Sequence, residues 1–497
     1  MNRAILRISL ACLAMFVLLL LNINYVQAFE SNSLASQPGN IRVFDQQFKY
    51  QRGSIVADGD NTNLKIAESV QRGGAYHRYY PYGPEYAAIT GYDSIYGQSG
   101  IEQAENKELA GTDPRLAVRN LTSLLTGKSK QGATVALTIS PTAQNAAYQA
   151  LLNDGGHPAA VVALNPETGA ILAMASIPTY NPNELTTFNG AQLDKVDNEL
   201  LRDPSQPLLN RAINATFPPG SSFKIVTSSA AFSQGLVANP NTNIPAPTVL
   251  TLPNGNLLHN DGDIACFNGD PTITEAFYLS CNTAFAKLGI KLTAPVLRNQ
   301  SSLFGMNRSL NIPLSVSPSV LPTGNDWTDP SLTAFSAIGQ YNDEVSPLQE
   351  AMFSAAIENG GKLMTPYMVQ EVIDPADLSV IQSQSPSVLS QAVSPQVAGD
   401  VKSMMLQVTQ NPGGTAYQTA GPPATSIVIY GKTGTAENGL TPTQSPDDAV
   451  FSCFVPAGES GAPDPIAVGV IVQGGGFGAD AAAPIAVQII KAYEARS

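Results

Sequence analysis

Histidine is scarce: His77, His157 and His259 are the three in a chain of 497 residues. No G-x-S-x-G pattern accompanies them, so a serine hydrolase working through a histidine base has no visible framework. Neither an H-E-x-x-H pair nor a C-x-x-C pair occurs, and no metal site is indicated. Charge is scarce too. Charged residues make up 13% of the chain against 43% hydrophobic, a globular composition rather than a disordered one. The net charge of -13 argues against broad nucleic-acid binding. Gly127-Lys128-Ser129 ends like a phosphate-binding loop, but position 122 is threonine where that motif needs glycine. Gly474-Gly475-Gly476-Phe477-Gly478 reads as a strand-end loop, not a nucleotide cradle. No internal repeat is visible.

What the chain does contain is three short motifs in order: Ser221-Ser222-Phe223-Lys224, Ser280-Cys281-Asn282 and Lys432-Thr433-Gly434. Read as S-x-x-K, S-x-N and K-T-G, they are the parts of an enzyme that attacks an acyl group with serine and moves protons through lysine. Each alone has a bland reading: a capping serine before a solvated lysine, an ordinary turn, a lysine-guarded edge strand. Their order and local context favour the chemical one. Pro218-Pro219-Gly220 stops one element, so a helix can start near Ser221. Backbone N–H groups there would stabilise developing negative charge. Lys224, three residues on, shares the helical face and would take the serine proton if desolvated or near another cation. Ser280 follows a short helix over 274–279 and is placed to relay protons. Asn282 can hold a substrate amide. Ser426 to Gly431 reads as a strand running into Lys432. Lys432, Thr433 and Thr435 would bind a carboxylate, and Gly434 leaves room for a substrate backbone.

The chain resembles the class B penicillin-binding proteins, the peptidoglycan transpeptidases. Besides the motifs, the resemblance rests on Asn210-Arg211-Ala212, on Gly169 to Ser176, on Tyr180-Asn181-Pro182-Asn183 and on Ala337-Ile338-Gly339-Gln340. Pro347-Leu348-Gln349 before Asn359-Gly360-Gly361 also matches, as do Arg52-Gly53-Ser54-Ile55 and the stretch from Arg78 to Glu102. There are departures. Asp58-Gly59 stands where a second arginine is common, Tyr341 where a glycine often follows Gly-Gln, and the aromatic residue after K-T-G is displaced to around Val450-Phe451.

The resemblance implies a D,D-transpeptidase that acts on stem peptides ending in D-Ala-D-Ala and is acylated by β-lactam antibiotics. Ser221, Lys224 and Ser280 would be catalytic. Asn282, Lys432, Thr433, Gly434 and Thr435 would bind substrate. Backbone N–H groups of Ser221 and Thr435 would form the oxyanion hole. No cofactor is implied. A membrane glycosyltransferase and divisome or elongasome proteins are the implied partners. A D,D-carboxypeptidase, a β-lactamase, and a β-lactam sensor or non-catalytic scaffold share the motifs; the large N-terminal module and the single span argue against the last two classes.

Arg3 and Arg7 precede the apolar run Ile8–Leu21, and no further basic residue occurs before Arg42. That asymmetry places the N-terminus in the cytoplasm and the rest outside. The segment is long enough to span a bilayer, yet Val26-Gln27-Ala28 resembles a cleavage site. The resemblance implies a retained single-pass anchor in the cell membrane. Cys266 and Cys281 lie on the exported side, 15 residues apart; they either form a disulfide that fixes the S-x-N motif or remain two buried thiols.

Residues 1–29 are expected to be the tip and anchor, 30–153 a mixed pedestal or interaction module, and 154–497 the penicillin-binding domain. Its order of strands, helices, strands and helix predicts an α+β fold, with terminal strands meeting in one antiparallel sheet. The resemblance gives that fold a name, the penicilloyl-serine transferase fold shared by β-lactamases and transpeptidases.

Overall fold

The computed structural model describes residues 2–27, 47–116, 130–263, 265–322, 329–437, 446–459 and 464–496. The boundary drawn at 29/30, Ala28 of the cleavage-like site and the Gly127-Lys128-Ser129 segment lie outside them. Helix α1 (Asn2–Tyr25) holds the apolar run. It is long and apolar enough to cross a membrane, and its apolar span is not buried in protein.

A six-stranded mixed sheet follows. Its strands are β1 (Ile55–Ala57), β2 (Leu64–Arg72), β3 (Ala75–Tyr79), β4 (Thr134–Leu137), β7 (Val369–Ile373) and β8 (Val380–Ser383). The order is β8-β7-β4-β1-β2-β3, with β1 and β4 parallel. Beside it the matched arginines meet a buried acid. Arg52 Nε donates to Glu102 Oε2 at 2.6 Å, and Arg78 Nε to Oε1 at 2.5 Å. Burial opposes ionisation of Glu102, but Arg78 and Arg52 outweigh it and hold its pKa below the usual carboxylate value. Removing one partner of such a buried group typically costs about 3–5 kcal/mol, because a charge is left unpaired.

The second sheet carries the Lys432-Thr433-Gly434 motif on an edge strand. It comprises β5 (Ala159–Leu164), β6 (Ile171–Ile177), β9 (Tyr430–Ala436), β10 (Asp448–Val455) and β11 (Ile466–Val472). The order β9-β10-β11-β5-β6 is antiparallel throughout. Every residue of β5, β6, β10 and β11 is buried, which explains apolar runs without alternation. Helix α2 (Pro141–Leu152) and the closing helix α7 (Ala482–Glu494) pack together over this sheet. Helix α6 (Pro347–Glu358) also packs on it, over β11, β10 and β5. Gly469 of β11 lets α6 approach: a Cβ there would lie 2.3 Å from Pro347 O and 2.4 Å from Ala351 N.

The α+β architecture and the antiparallel sheet of terminal strands are as expected. Two local details differ. The 426–429 stretch is not a strand; β9 begins at Tyr430. Ile427 and Val428 instead pack as partly buried side chains against the core, and the Ile429 carbonyl accepts from Thr409 Oγ1. Strands β7 and β8, far along the chain, join the first sheet, so that sheet crosses the line drawn at 153/154.

Candidate active site

Ser221 sits in a 3₁₀ turn, Gly220–Phe223, that leads directly into helix α3 (Lys224–Ser233). The turn is held by close backbone contacts. Gly220 has φ +56, and a Cβ there would lie 2.5 Å from Thr435 O. Gly220 N donates to Gly339 O at 2.9 Å, and a Cβ on Gly339 would lie 1.9 Å from Gly220 O. The Ala337–Gln340 run is thus the brace behind the Ser221 turn.

Helix α4 (Ile273–Tyr278) opens with a capping box between Thr272 and Glu275. The chain then turns sharply at Ser280, φ +63, and Asn282 starts helix α5 (Asn282–Leu292). A disulfide joins Cys266 to Cys281, tying that turn to the preceding loop.

These elements converge on two lysine amines. Lys224 Nζ is 2.8 Å from Ser221 Oγ, 2.8 Å from Ser280 O, 3.2 Å from Ser280 Oγ and 2.7 Å from Asn282 Oδ1. Lys432 Nζ donates to Ser280 Oγ and to Thr433 O, each at 3.0 Å. The Ser280 hydroxyl therefore bridges the two amines. Both lysine side chains are fully buried. They lie over aromatic faces, Lys224 Nζ 5.5 Å from the Phe285 ring centre and Lys432 Nζ 5.6 Å from that of Phe277.

Burial lowers the Lys224 pKa far below that of a free lysine, and the charge of Lys432 lowers it further; Asp261 opposes both. Burial brings Lys432 down to about 7, again against Asp261. A neutral Lys224 amine can accept the Ser221 proton across 2.8 Å.

Strand β9 is an edge of its sheet, so one side of its backbone is open to an extended substrate. A Cβ on Gly434 would lie 2.5 Å from Pro219 O, so glycine is needed there for the strand to reach the serine turn. A groove of about 1500 Å³ runs past Ser221, Ser280, Asn282, Thr433 and Thr435. All the motif side chains named from the sequence thus meet at one place, on the groove or just beneath it.

Two other neighbours, Asp261 and Thr415, were not legible in the sequence. Asp261 Oδ1 accepts from Asn282 Nδ2 at 3.2 Å, and no motif marks it. Thr415 Oγ1 lies 2.7 Å from Thr433 Oγ1. Gln340 Nε2 donates to Thr435 O at 3.4 Å; its place in the Gly-Gln pair was the available signal. Tyr341, with φ +68, forms part of the groove wall. The displaced aromatic Phe451 is buried in β10 opposite Thr433.

A family model described as the penicillin binding protein transpeptidase domain matches residues 159–491. This chain belongs to the penicillin-binding protein transpeptidase family. Residues 52–135 match a second family model, the penicillin binding protein A dimerisation domain. Similar curated penicillin-binding proteins include peptidoglycan D,D-transpeptidase PbpA of Mycolicibacterium smegmatis, 39% identical over 96% of this chain and 94% of that protein. PbpA of Mycobacterium tuberculosis is 37% identical over 99% of each. Among solved structures, PBPA from Mycobacterium tuberculosis superposes with a TM-score of 0.81 at 35% identity, covering 90% of this chain and 100% of that one. Its penicillin G acyl-enzyme complex gives 0.81 at 36%, covering 89% and 99%. The earlier resemblance to class B penicillin-binding proteins agrees with these matches.

Proposed function

We propose that this chain is a peptidoglycan D,D-transpeptidase that cross-links stem peptides through an acyl-serine intermediate. One observation carries the reading: Ser221 Oγ lies 2.8 Å from a buried Lys224 amine whose neighbour, Ser280, bridges to Lys432. The names of the mycobacterial relatives and the acyl-enzyme complex support it.

A donor peptide ending in D-Ala-D-Ala lies along β9, with its terminal carboxylate at Lys432, Thr433 and Thr435. Lys224 takes the Ser221 proton, and Ser221 Oγ attacks the penultimate carbonyl carbon. The oxyanion is held by the N–H groups of Ser221 and Thr435. As the C–N bond breaks, Ser280 passes a proton to the departing D-Ala nitrogen and is reprotonated through the lysines. Asn282 holds the donor amide. An amine of a neighbouring stem peptide then attacks the ester and releases Ser221. A β-lactam acylates the same oxygen, and its acyl group leaves slowly.

Helix α1 anchors the chain in the cell membrane with its N-terminus cytoplasmic. Residues 30–153 serve as the interaction module and 154–497 as the transpeptidase domain; the family spans 52–135 and 159–491 support this division. Glycan polymerisation falls to a partner membrane glycosyltransferase, within the division or elongation machinery.

Intact-mass analysis after benzylpenicillin is expected to show a single adduct, absent from Ser221→Ala. An adduct persisting in that variant overturns the assignment. Purified protein given stem peptides is expected to cross-link them; release of D-Ala without cross-links identifies a carboxypeptidase, and neither product a sensor or scaffold.

A further inference from the structure

Behind the nucleophile's turn lies an acid that the mechanism above does not use. Glu350, on α6, has no exposed surface. Its Oε1 is 2.7 Å from Ser222 Oγ, in the residue next to Ser221. Ser222 Oγ is also 2.9 Å from Pro219 O. A hydroxyl has one proton. The Pro219 carbonyl can only accept, so if Ser222 donates there, the second short contact requires a donor on Glu350.

The surroundings favour that protonated form. Glu350 Oε2 is buried without a hydrogen-bond partner, and no salt bridge reaches the residue among those described. An ionised carboxylate in such a place is far more costly than a neutral acid. Basic residues on the elements packed against α6 are Arg211, Lys224, Lys362 and Lys402; the acids and thiol there are Asp400, Asp448 and Cys453. None of them acts on Glu350. Burial comes first and raises its pKa to about 8, while the Ser222 bond pulls the other way. The position is fixed from behind as well: Ser452 Oγ donates to Glu350 O at 2.7 Å, and α6 rests on Gly469.

We propose that Glu350 is a positioning residue for acylation: as a neutral carboxylic acid it donates to Ser222 Oγ, so that Ser222 gives its own proton to Pro219 O and fixes the turn presenting Ser221. This rests on Ser221 being the nucleophile. Once Glu350 ionises, it can only accept. Ser222 then turns its proton to the carboxylate and releases Pro219 O, and the turn loses one of its ties. The ordinary alkaline gain from a neutral Lys224 is thus capped by a separate group that never touches the substrate.

The test is stopped-flow acylation of the full-length protein in detergent by a chromogenic penicillin, from pH 6 to pH 10. The acylation rate constant is separated from the dissociation constant of the preceding complex, because loss of the Lys432 charge acts on binding. Wild type is expected to show an alkaline fall in the rate constant with a midpoint near pH 8. Glu350→Leu, which has no donor, is expected to lose about tenfold at pH 7, the worth of one hydrogen bond. Glu350→Gln, whose amide can donate without titrating, is expected to restore most of that rate and to show no fall near pH 8. A glutamine variant that keeps the wild-type alkaline midpoint, or that is as slow as the leucine variant, overturns the proposal. If the leucine variant does not fold, the wild-type and glutamine profiles decide alone. A neutral-carboxyl infrared band at pH 6.5 that is missing from Glu350→Gln supports the proposal independently; an identical spectrum contradicts it. Intact mass of each acylated protein separates the two readings: an adduct away from Ser221 defeats the nucleophile assignment, whereas a Ser221 adduct with unchanged profiles defeats only the role of Glu350.

Discussion

Replacing Lys432 by methionine should change the pH dependence of stability in a direction that can be worked out in advance. Lys432 is buried and its pKa falls from 10.5 to about 7 on folding. Between those values the unfolded chain binds more protons than the folded one, so folded stability rises with pH. Below pH 7 the folded protein carries the full cost of a buried ammonium, on the order of 5 kcal/mol for a shift of this size. That cost fades as pH climbs toward 10.5. Between pH 7 and pH 9 the wild type should gain about 2 kcal/mol relative to Lys432→Met, which has nothing to titrate there. The Lys432 charge also lowers the Lys224 pKa, so both proteins are compared with Lys224→Ala in place, which removes that second titration. The methionine also leaves Ser280 Oγ and Thr433 O without their Lys432 bonds. That shifts the offset between the two curves and leaves the slope alone. Urea unfolding of the full-length protein in detergent, at half-unit steps from pH 6 to pH 9, gives both curves by linear extrapolation. Binding should move the opposite way. With the ammonium holding the substrate carboxylate as proposed, wild-type affinity for a carboxylate-bearing β-lactam should weaken as pH rises through 7. Parallel stability curves for the two proteins between pH 7 and pH 9 would falsify the depressed Lys432 pKa.

Three further outcomes are expected. Lys224→Ala should reduce β-lactam acylation by roughly 10²–10⁴, the usual worth of a positioned proton acceptor, while the protein stays folded; a wild-type rate in stopped-flow would remove lysine as the base. Asp261 raises the pKa of both Lys224 and Lys432, so Asp261→Asn should lower both and move the acid limb of the acylation–pH profile to lower pH. An unmoved or upward-shifted limb contradicts that coupling. Converting both Cys266 and Cys281 to alanine opens a loop of sequence separation 15 and should cost about 3 kcal/mol in the chain-entropy model; recovery of both as free thiols, by peptide mapping of protein made in an oxidising compartment, refutes the bond.

Much of this protein is determined locally and can therefore be read from its sequence. The three-residue spacing of Ser221 and Lys224 sets them one helical turn apart wherever that helix packs, and the structure puts them 2.8 Å apart. Thr272 and Glu275 cap α4 whatever surrounds them. An apolar run after two arginines gives a helix fit to cross a membrane. Local pattern also misleads: 426–429 has strand composition, but a strand exists only where a partner accepts its ladder, and Thr409 takes the Ile429 carbonyl instead. Tertiary structure alone decided the electrostatics. Ser280 reaches Lys432 across 152 residues of sequence, and Glu350 reaches Ser222 across 128. A lysine's pKa depends on what excludes water from it and which charges lie nearby. Those neighbours come from strands, helices and loops that no short-range pattern relates. The motifs thus name the candidate reacting groups, while burial by the whole fold lowers the pKa of both lysines.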